Sequence, residues 1–429
     1  MRKSLFAAAF IAATALAVPA VTQARVYGDT IHVPERAIIL TGELNNANAD
    51  NIAVLYSRKG LAFDEPSAPR FLLLDRQGKI ALGIGGYVKA IGMYDFDGAV
   101  DDNGFTTFEI PTPLNPAQRQ RFGADASHST LFLRLVTRSS KLGLITVYVQ
   151  SSFSGGAHSN GFILKQAYVS VGRLTAGLAT STFGDAEAEA PTIDPQGPAG
   201  QVSAKNMMFQ YHTKSYKGFS AAISAEMPDA DYTTTDANAK SIAQRFPDIP
   251  LYLQYEWNKE SHIRVAALLR QLSYRDMLSS KNHFVTGWGV MASGVGDIVG
   301  GTGFFGHIAY GKGIARYIND LSGFGYDLVP SATDGILEAP GTLAWTAGLS
   351  HNFSKKFFMT ANCSQVRVYD CAHMGNDAYK YGLYAGVNAF YNITGDLRIG
   401  AEYLYGRRVN FDGTKGHANR LEAMVQYSF

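Results

Sequence analysis

Arg420-Leu-Glu-Ala-Met-Val-Gln-Tyr-Ser-Phe429 is the stretch whose reading decides the fold. Leu421, Ala423, Val425, Tyr427 and Phe429 alternate with Arg420, Glu422, Met424, Gln426 and Ser428, a period of two with one apolar and one polar face. Successive side chains of a strand point to opposite faces. An alternating segment of about 9 to 11 residues is long enough for a tilted strand to cross a bilayer, with lipid on one face and water on the other. An edge strand of a soluble protein alternates in the same way, so the rest of the chain has to separate the two readings.

At the other end, Arg2 and Lys3 precede an apolar run from Leu5 to Val18, followed by small residues at Ala20, Thr22 and Ala24. This is the layout of a secretory signal peptide over residues 1–24. No other stretch reaches the 18 or so consecutive apolar residues of a membrane-spanning helix, so membrane residence falls to strands. Export without such a helix predicts the outer membrane of a Gram-negative bacterium. Removing Arg2 and Lys3 from the 38 basic residues leaves 36 against 36 acidic ones, a balance that gives no reason to expect nucleic acid as a partner. The 44 Gly, 25 Phe and 23 Tyr suit close-packed, aromatic-girdled strands. The mean hydropathy of −0.06 is too low for a helical membrane protein.

From Gly78 to the end, sixteen alternating or β-rich runs follow one another between turn signals, an even number as a bacterial barrel requires. The expected fold over residues 78–429 is therefore a 16-stranded antiparallel transmembrane β-barrel. Its connections alternate in length. The Asp- and Pro-rich segment between Tyr94 and Arg119 is long, whereas Ser139 and Ser140 suffice for the next turn. With both ends of the barrel in the periplasm, every long connection is extracellular and the short ones are periplasmic turns, a sorting that soluble β-proteins have no reason to show.

Residues 25–77 do not alternate. Ile52, Leu55 and Tyr56 suggest one short helix before Pro66 and Pro69, and the segment reads as a small N-terminal periplasmic extension, too short to plug a wide barrel. Cys363 and Cys371 are spaced for a small clasp under one loop or for two free thiols, and spacing does not decide between them. With only His373 nearby, a metal site is not expected, and no motif calls for a cofactor. Gly294 to Gly303 lacks the Gly-Lys-Ser/Thr continuation of a nucleotide loop and reads as a flexible turn.

A channel selects solutes by its width and by the charges at its narrowest section. The candidate pore-lining basic residues are Arg119, Arg121, Arg134, Arg138, Lys165, Arg264, Arg270, Arg398 and Arg420. Arg119 and Arg121 differ in parity from Arg134 and Arg138, so all four reach water only if the strand bends near Ala126 to Ser129. Guanidinium groups stay charged and hold carboxylates or phosphates through paired donors, which favours anions, and arginines near the rim can serve lipopolysaccharide phosphates instead.

At Gly86 to Lys89, at Asn115 to Gly123, at Leu164 to Tyr168 and at Thr175 to Asp185 the chain resembles the DcaP-like trimeric porins. The likeness covers most of the first half of the barrel, and the second half shares the strand layout and the terminal Phe429. It implies a homotrimer of 16-stranded channels admitting small, often anionic, organic solutes. The connection after the fifth strand is then the constriction loop, and Asp185, Glu187, Glu189 and Asp194 are its candidate acidic residues facing basic wall residues. The chain departs from the family's namesake branch in having no N-terminal coiled coil. The expected function is passive diffusion of small hydrophilic solutes, carboxylates among them, through a wet lumen surrounded by outer-membrane lipid. The competing readings are a barrel hydrolase, such as a lipase or protease, and a non-conducting structural or adhesive barrel. For the hydrolase, His212 with Ser215 and His262 with Ser261 are the only near neighbours, and adjacent strand residues point to opposite faces.

Overall fold

The computed structural model describes residues 37–42, 46–66, 68–100, 104–155, 161–233, 238–369, 373–375 and 377–429. The expected signal peptide and Cys371 lie outside them. Cys363 sits on an outward-facing position of the barrel wall.

Sixteen antiparallel staves make the wall. The first five are β1 (Ile80–Asp97), β2 (Arg121–Asp125 and Thr130–Ser139), β3 (Gly143–Gly155), β4 (Gly161–Val171) and β5 (Leu174–Thr180). Then come β6 (Lys205–His212), β7 (Phe219–Glu226), β8 (Ile249–Asn258), β9 (Ser261–Asp276), β10 (Lys281–Val299) and β11 (Thr302–Lys312). The last five are β12 (Gly341–Asn352), β13 (Phe357–Val368), β14 (Tyr379–Asn392), β15 (Leu397–Asn410) and β16 (Lys415–Ser428). Each stave pairs with the next, and β16 pairs back onto β1 from Ser428 opposite Tyr87 to Asn419 opposite Asp97. Phe429 completes the seam, its N–H bonded to the Gly86 carbonyl at 2.9 Å. Closure leaves the ring of sixteen staves without an open edge, the condition for strands to lie in hydrocarbon.

The two faces separate as the alternation dictates. On β16, Leu421 and Val425 are 46% and 52% exposed while Arg420 and Glu422 are 0% and 1% exposed. Val88, Leu133, Ile223, Leu253, Val265, Val290 and Ile308 continue the outward apolar belt. Among the described residues no helix is long and apolar enough to cross a membrane. β2 breaks at 126–129, and the break restores parity. Arg121 lies opposite Asp95 and Arg134 opposite Gly83, both inward positions of β1.

Every long connection follows an odd-numbered stave, so one end of the tube carries long loops and the other tight turns. Counted in chain order with the shorter links at that end, the long ones are the first (98–120), third (181–204), fourth (227–248) and sixth (313–340) connections. Three of these loops fold inward. Phe105 and Ile110 from the first, Phe183 and Val202 from the third, and Ile314, Tyr317 and Leu321 from the sixth pack on inward wall residues Ala266, Met291, Ala344, Val366 and Leu404. The lumen beside β9 to β15 thus holds an apolar core, not only water. The wall was expected to enclose a wet centre throughout. The alternation could not show this filling, because small inward residues such as Ala266 and Ala344 serve loop side chains as readily as water.

The N-terminal segment also enters the tube. Ile38–Thr41 runs parallel to Phe71–Leu74, which pairs antiparallel with the start of β1. Between them, α1 (Asn46–Leu55) packs Ile52 and Leu55 on Leu72, Leu74, Ala81 and Val136, the last two being inward wall positions. A ten-residue helix is marginal alone. Burying two such side chains contributes roughly 1.5–3 kcal/mol each, which is what holds it here. Its Asn48 and Asn51 amides donate to the Asp75 and Gly78 carbonyls at 3.2 and 2.9 Å. Residues 46–66 therefore run along the inner wall, where the sequence reading had them outside the barrel as a periplasmic extension. The segment alone cannot fill the lumen, and the inward loops occupy a further part of it.

Candidate functional site in the lumen

On the side of β1 to β6 a polar chamber of about 370 Å3 stays open between the wall, the third and sixth long connections and residues 62–65. Lys89 of β1, Lys165 of β4 and Lys205 of β6 bound it with Arg316 of the sixth connection, and Asp64, Glu65 and Glu189 face them. Lys165 reaches the lumen through a β-bulge. Gln150 pairs with Gln166 and Ser151 with Leu164, so Lys165 is the extra residue and escapes the strand's parity.

The third connection crosses the lumen by fixed bonds. Near its start, Asp185 receives His262 Nε2 at 2.9 Å and Ser293 Oγ at 2.5 Å, with Arg264 at 3.6 Å. Burial pushes the Asp185 carboxyl up, but Arg264, His262 and Ser293 outweigh it and hold it well below the usual range. Glu187 lies 3.4 Å from His262 Nδ1 and accepts the Gly60 N–H. Further on, Thr360 and Asn388 donate to the Pro191 carbonyl at 3.0 and 2.7 Å, and Lys89 donates to the Ile193 carbonyl at 2.8 Å. The Ile193 and Asp194 N–H groups donate to Glu402. Asp194 accepts the N–H groups of Phe105, Gln196 and Gly197 and the Tyr384 hydroxyl, so amides and a phenol surround it. Glu189 faces the chamber near Glu65 and Lys205, and burial, then the Glu65 charge, push its carboxyl well up.

The nine candidate basic residues fall into different surroundings. Arg119 pairs with Asp97 at 2.5 Å and is half-exposed ahead of β2, with Arg121 inward just after it. Arg134 donates to the Leu55 and Ser57 carbonyls at 3.2 and 2.8 Å, and Arg138 reaches Asn51 and Asp50, so both hold α1. A cation at a helix C-terminus satisfies its last carbonyls and opposes its dipole. Arg264 stacks on Tyr252 and donates to Gln254 and the Gly184 carbonyl. Fully buried Arg270 is locked between Asp248 at 3.0 Å and Asp327 at 2.8 Å. Fully buried Arg420 makes a two-pronged pair with Asp95 at 2.7 and 3.1 Å across the closing seam. Arg398 lies against Phe63, Phe358 and Phe390. Of the nine, the chamber is lined by Lys165 alone, and of the four acids by Glu189 and Asp194.

Lys89, Lys205, Arg316, Asp64 and Glu65 escaped the sequence reading. Lys89 alternates inward on β1 and was legible in principle. Lys205 opens a short stave, and Arg316, Asp64 and Glu65 lie in segments without periodicity. Among the described residues no group of three or more His, Cys, Asp and Glu can hold a metal ion. Asp185, His262 and Ser293 cluster, with hydroxyl and imidazole both bonded to the carboxylate and not to each other, unlike a serine–histidine nucleophile pair.

A family model described as the Porin subfamily matches residues 81–426. The fold resembles that of the outer membrane channel DcaP of Acinetobacter baumannii, with a TM-score of 0.71 and 19% identity over 86% of this chain and 100% of that one. It also resembles an anion-selective porin from Comamonas acidovorans, at a TM-score of 0.52 and 10% identity over 82% and 100% of the two chains. A trimer form of OmpT from Vibrio cholerae gives 0.52 and 9% over 82% and 100%. A comparison with curated proteins finds no significant match. With a closed wall, an outward apolar belt, a polar luminal chamber and a family match along nearly the whole barrel, the chain belongs to the Porin subfamily of outer-membrane channels.

Proposed function

We propose that the chain mediates passive diffusion of small hydrophilic solutes, with a preference for anions such as carboxylates, through each subunit of a homotrimer. The third connection narrows the path, and the lipid-facing belt and basic rim contact outer-membrane lipid and lipopolysaccharide. The observation that carries this reading is the chamber edged by Lys89, Lys165 and Lys205, of which Lys165 has no ion-pair partner among the described residues. An unneutralised cation in a narrow section attracts anions and repels cations. The trimer form of OmpT and the anion selectivity of the Comamonas porin support assembly and charge preference by fold analogy only. The test is conductance of the purified protein in a planar bilayer. Discrete channels with a reversal potential on the chloride side support the reading, cation preference overturns its charge part, and a silent bilayer overturns diffusion.

A further inference from the structure

The segment after α1 bridges opposite walls of the tube. Lys59 Nζ lies 2.9 Å from Glu256 on β8. The Phe63 ring is 5.9 and 5.4 Å from Phe358 and Phe390 on β13 and β14, and the Arg398 guanidinium covers it at 5.1 Å. Glu65, 3% exposed, accepts Lys205 Nζ at 2.9 Å and the Gln166 amide, which brings in β6 and β4. Tyr148 of β3 donates to the Pro66 carbonyl at 3.3 Å. The crossing is braced within itself. Arg58 donates to the Ala62, Phe63 and Glu65 carbonyls at 2.9, 3.2 and 3.3 Å, and the Ala62 N–H returns to Glu65 at 3.2 Å. It meets the third connection directly through the Gly60 N–H and Glu187.

We propose that residues 58–66 are a second constriction of this channel, approaching from the end opposite the third connection, and that Asp64 and Glu65 set its charge selectivity. The inference rests on the reading of the chain as a diffusion channel. The wall supplies lysines to the chamber, whereas the crossing segment brings both of its own carboxylates to them. Glu65 neutralises Lys205 by direct contact. Asp64 is exposed toward Lys165 and has no hydrogen bond among the described residues, so its charge is available to passing ions. In this layout the staves fix the tube's diameter, and a segment that is no part of the wall fixes which sign of ion prefers it.

The full chain tests this in planar bilayers. Asp64→Asn has no bond to break and leaves the fold intact, and Glu65→Gln keeps an acceptor for Lys205. The double variant is expected to raise the chloride-to-potassium permeability ratio about threefold, as removal of two fixed negative charges from a narrow path does. Phe63→Ala, which removes the far anchor, is expected to raise single-channel conductance about 1.5-fold by freeing the crossing. If the wild-type chain conducts and Asp64→Asn, the double variant and Phe63→Ala all match it in ratio and conductance, the second constriction is overturned while the channel reading stands. A wild-type chain without conductance overturns the channel reading itself.

Discussion

Glu189 carries a charge prediction of its own. Half-buried in the chamber beside Glu65, its carboxyl keeps its proton well above the usual carboxylate range. A carboxyl raised in this way is neutral where an exposed one is charged, and it ionises as pH rises, adding a negative charge beside Lys165 and Lys205. Anion preference should therefore fall as pH is raised through the ionisation of this carboxyl, and Glu189→Gln should flatten that dependence. Reversal potentials over a pH series measure it, and a slope unchanged in the variant assigns the titration elsewhere. Arg270 has a different role. Its partners Asp248 and Asp327 lie in the fourth and sixth long connections, so one side chain pins two loops to the wall. Arg270→Ala leaves Asp327 buried without its cation and Asp248 with only Arg316, 3.7 Å away, at a cost of about 3–5 kcal/mol. Thermal unfolding in detergent should show it as a clear loss of stability. Period two revealed that Arg270 and Arg420 point inward. It could not reveal that they are already paired, because Asp327 is 57 residues from Arg270 and Asp95 is 325 from Arg420.

The third connection behaves as an element because both its ends and its tip are fastened. Gly200 shows how closely it lies on the wall. Its N–H donates to Ser364 Oγ at 2.8 Å and its carbonyl meets His307 Nε2 at 2.9 Å. A Cβ there would stand 2.5 Å from the Gln365 carbonyl oxygen and 2.7 Å from that of Trp345, both backbone atoms of paired staves that cannot yield. Gly200→Ala should lift this stretch, cost about 1–3 kcal/mol and increase single-channel noise or conductance. Unaltered traces and stability would mean that the contact is not tight. The staves were legible because a lipid-facing wall forces alternation on every one of them. The crossing at 58–66 was not, because its order comes from contacts such as Lys205 with Glu65, 140 residues apart, which leave no local period.

At the scale of the whole molecule the lumen is asymmetric. Apolar loop side chains fill the side of β9 to β15, and the chamber lies along β1 to β6, so ions have one wall to follow. Charges on the two sides should then differ in their effect on permeation. Lys165 faces the chamber. Arg408 of β15 lies beyond the apolar core, 4.8 Å over the Phe108 ring and bonded to Asn410 at 3.0 Å. In about 1 M salt the screening length is about 3 Å, so only charges bordering the ion path act on it. Lys165→Gln should move the reversal potential toward cations, whereas Arg408→Gln should leave it in place while lowering thermal stability through its lost stacking and hydrogen bonds. Both substitutions remove one positive charge from the same barrel, so unequal shifts locate the path and equal shifts would mean that ions traverse the whole cross-section.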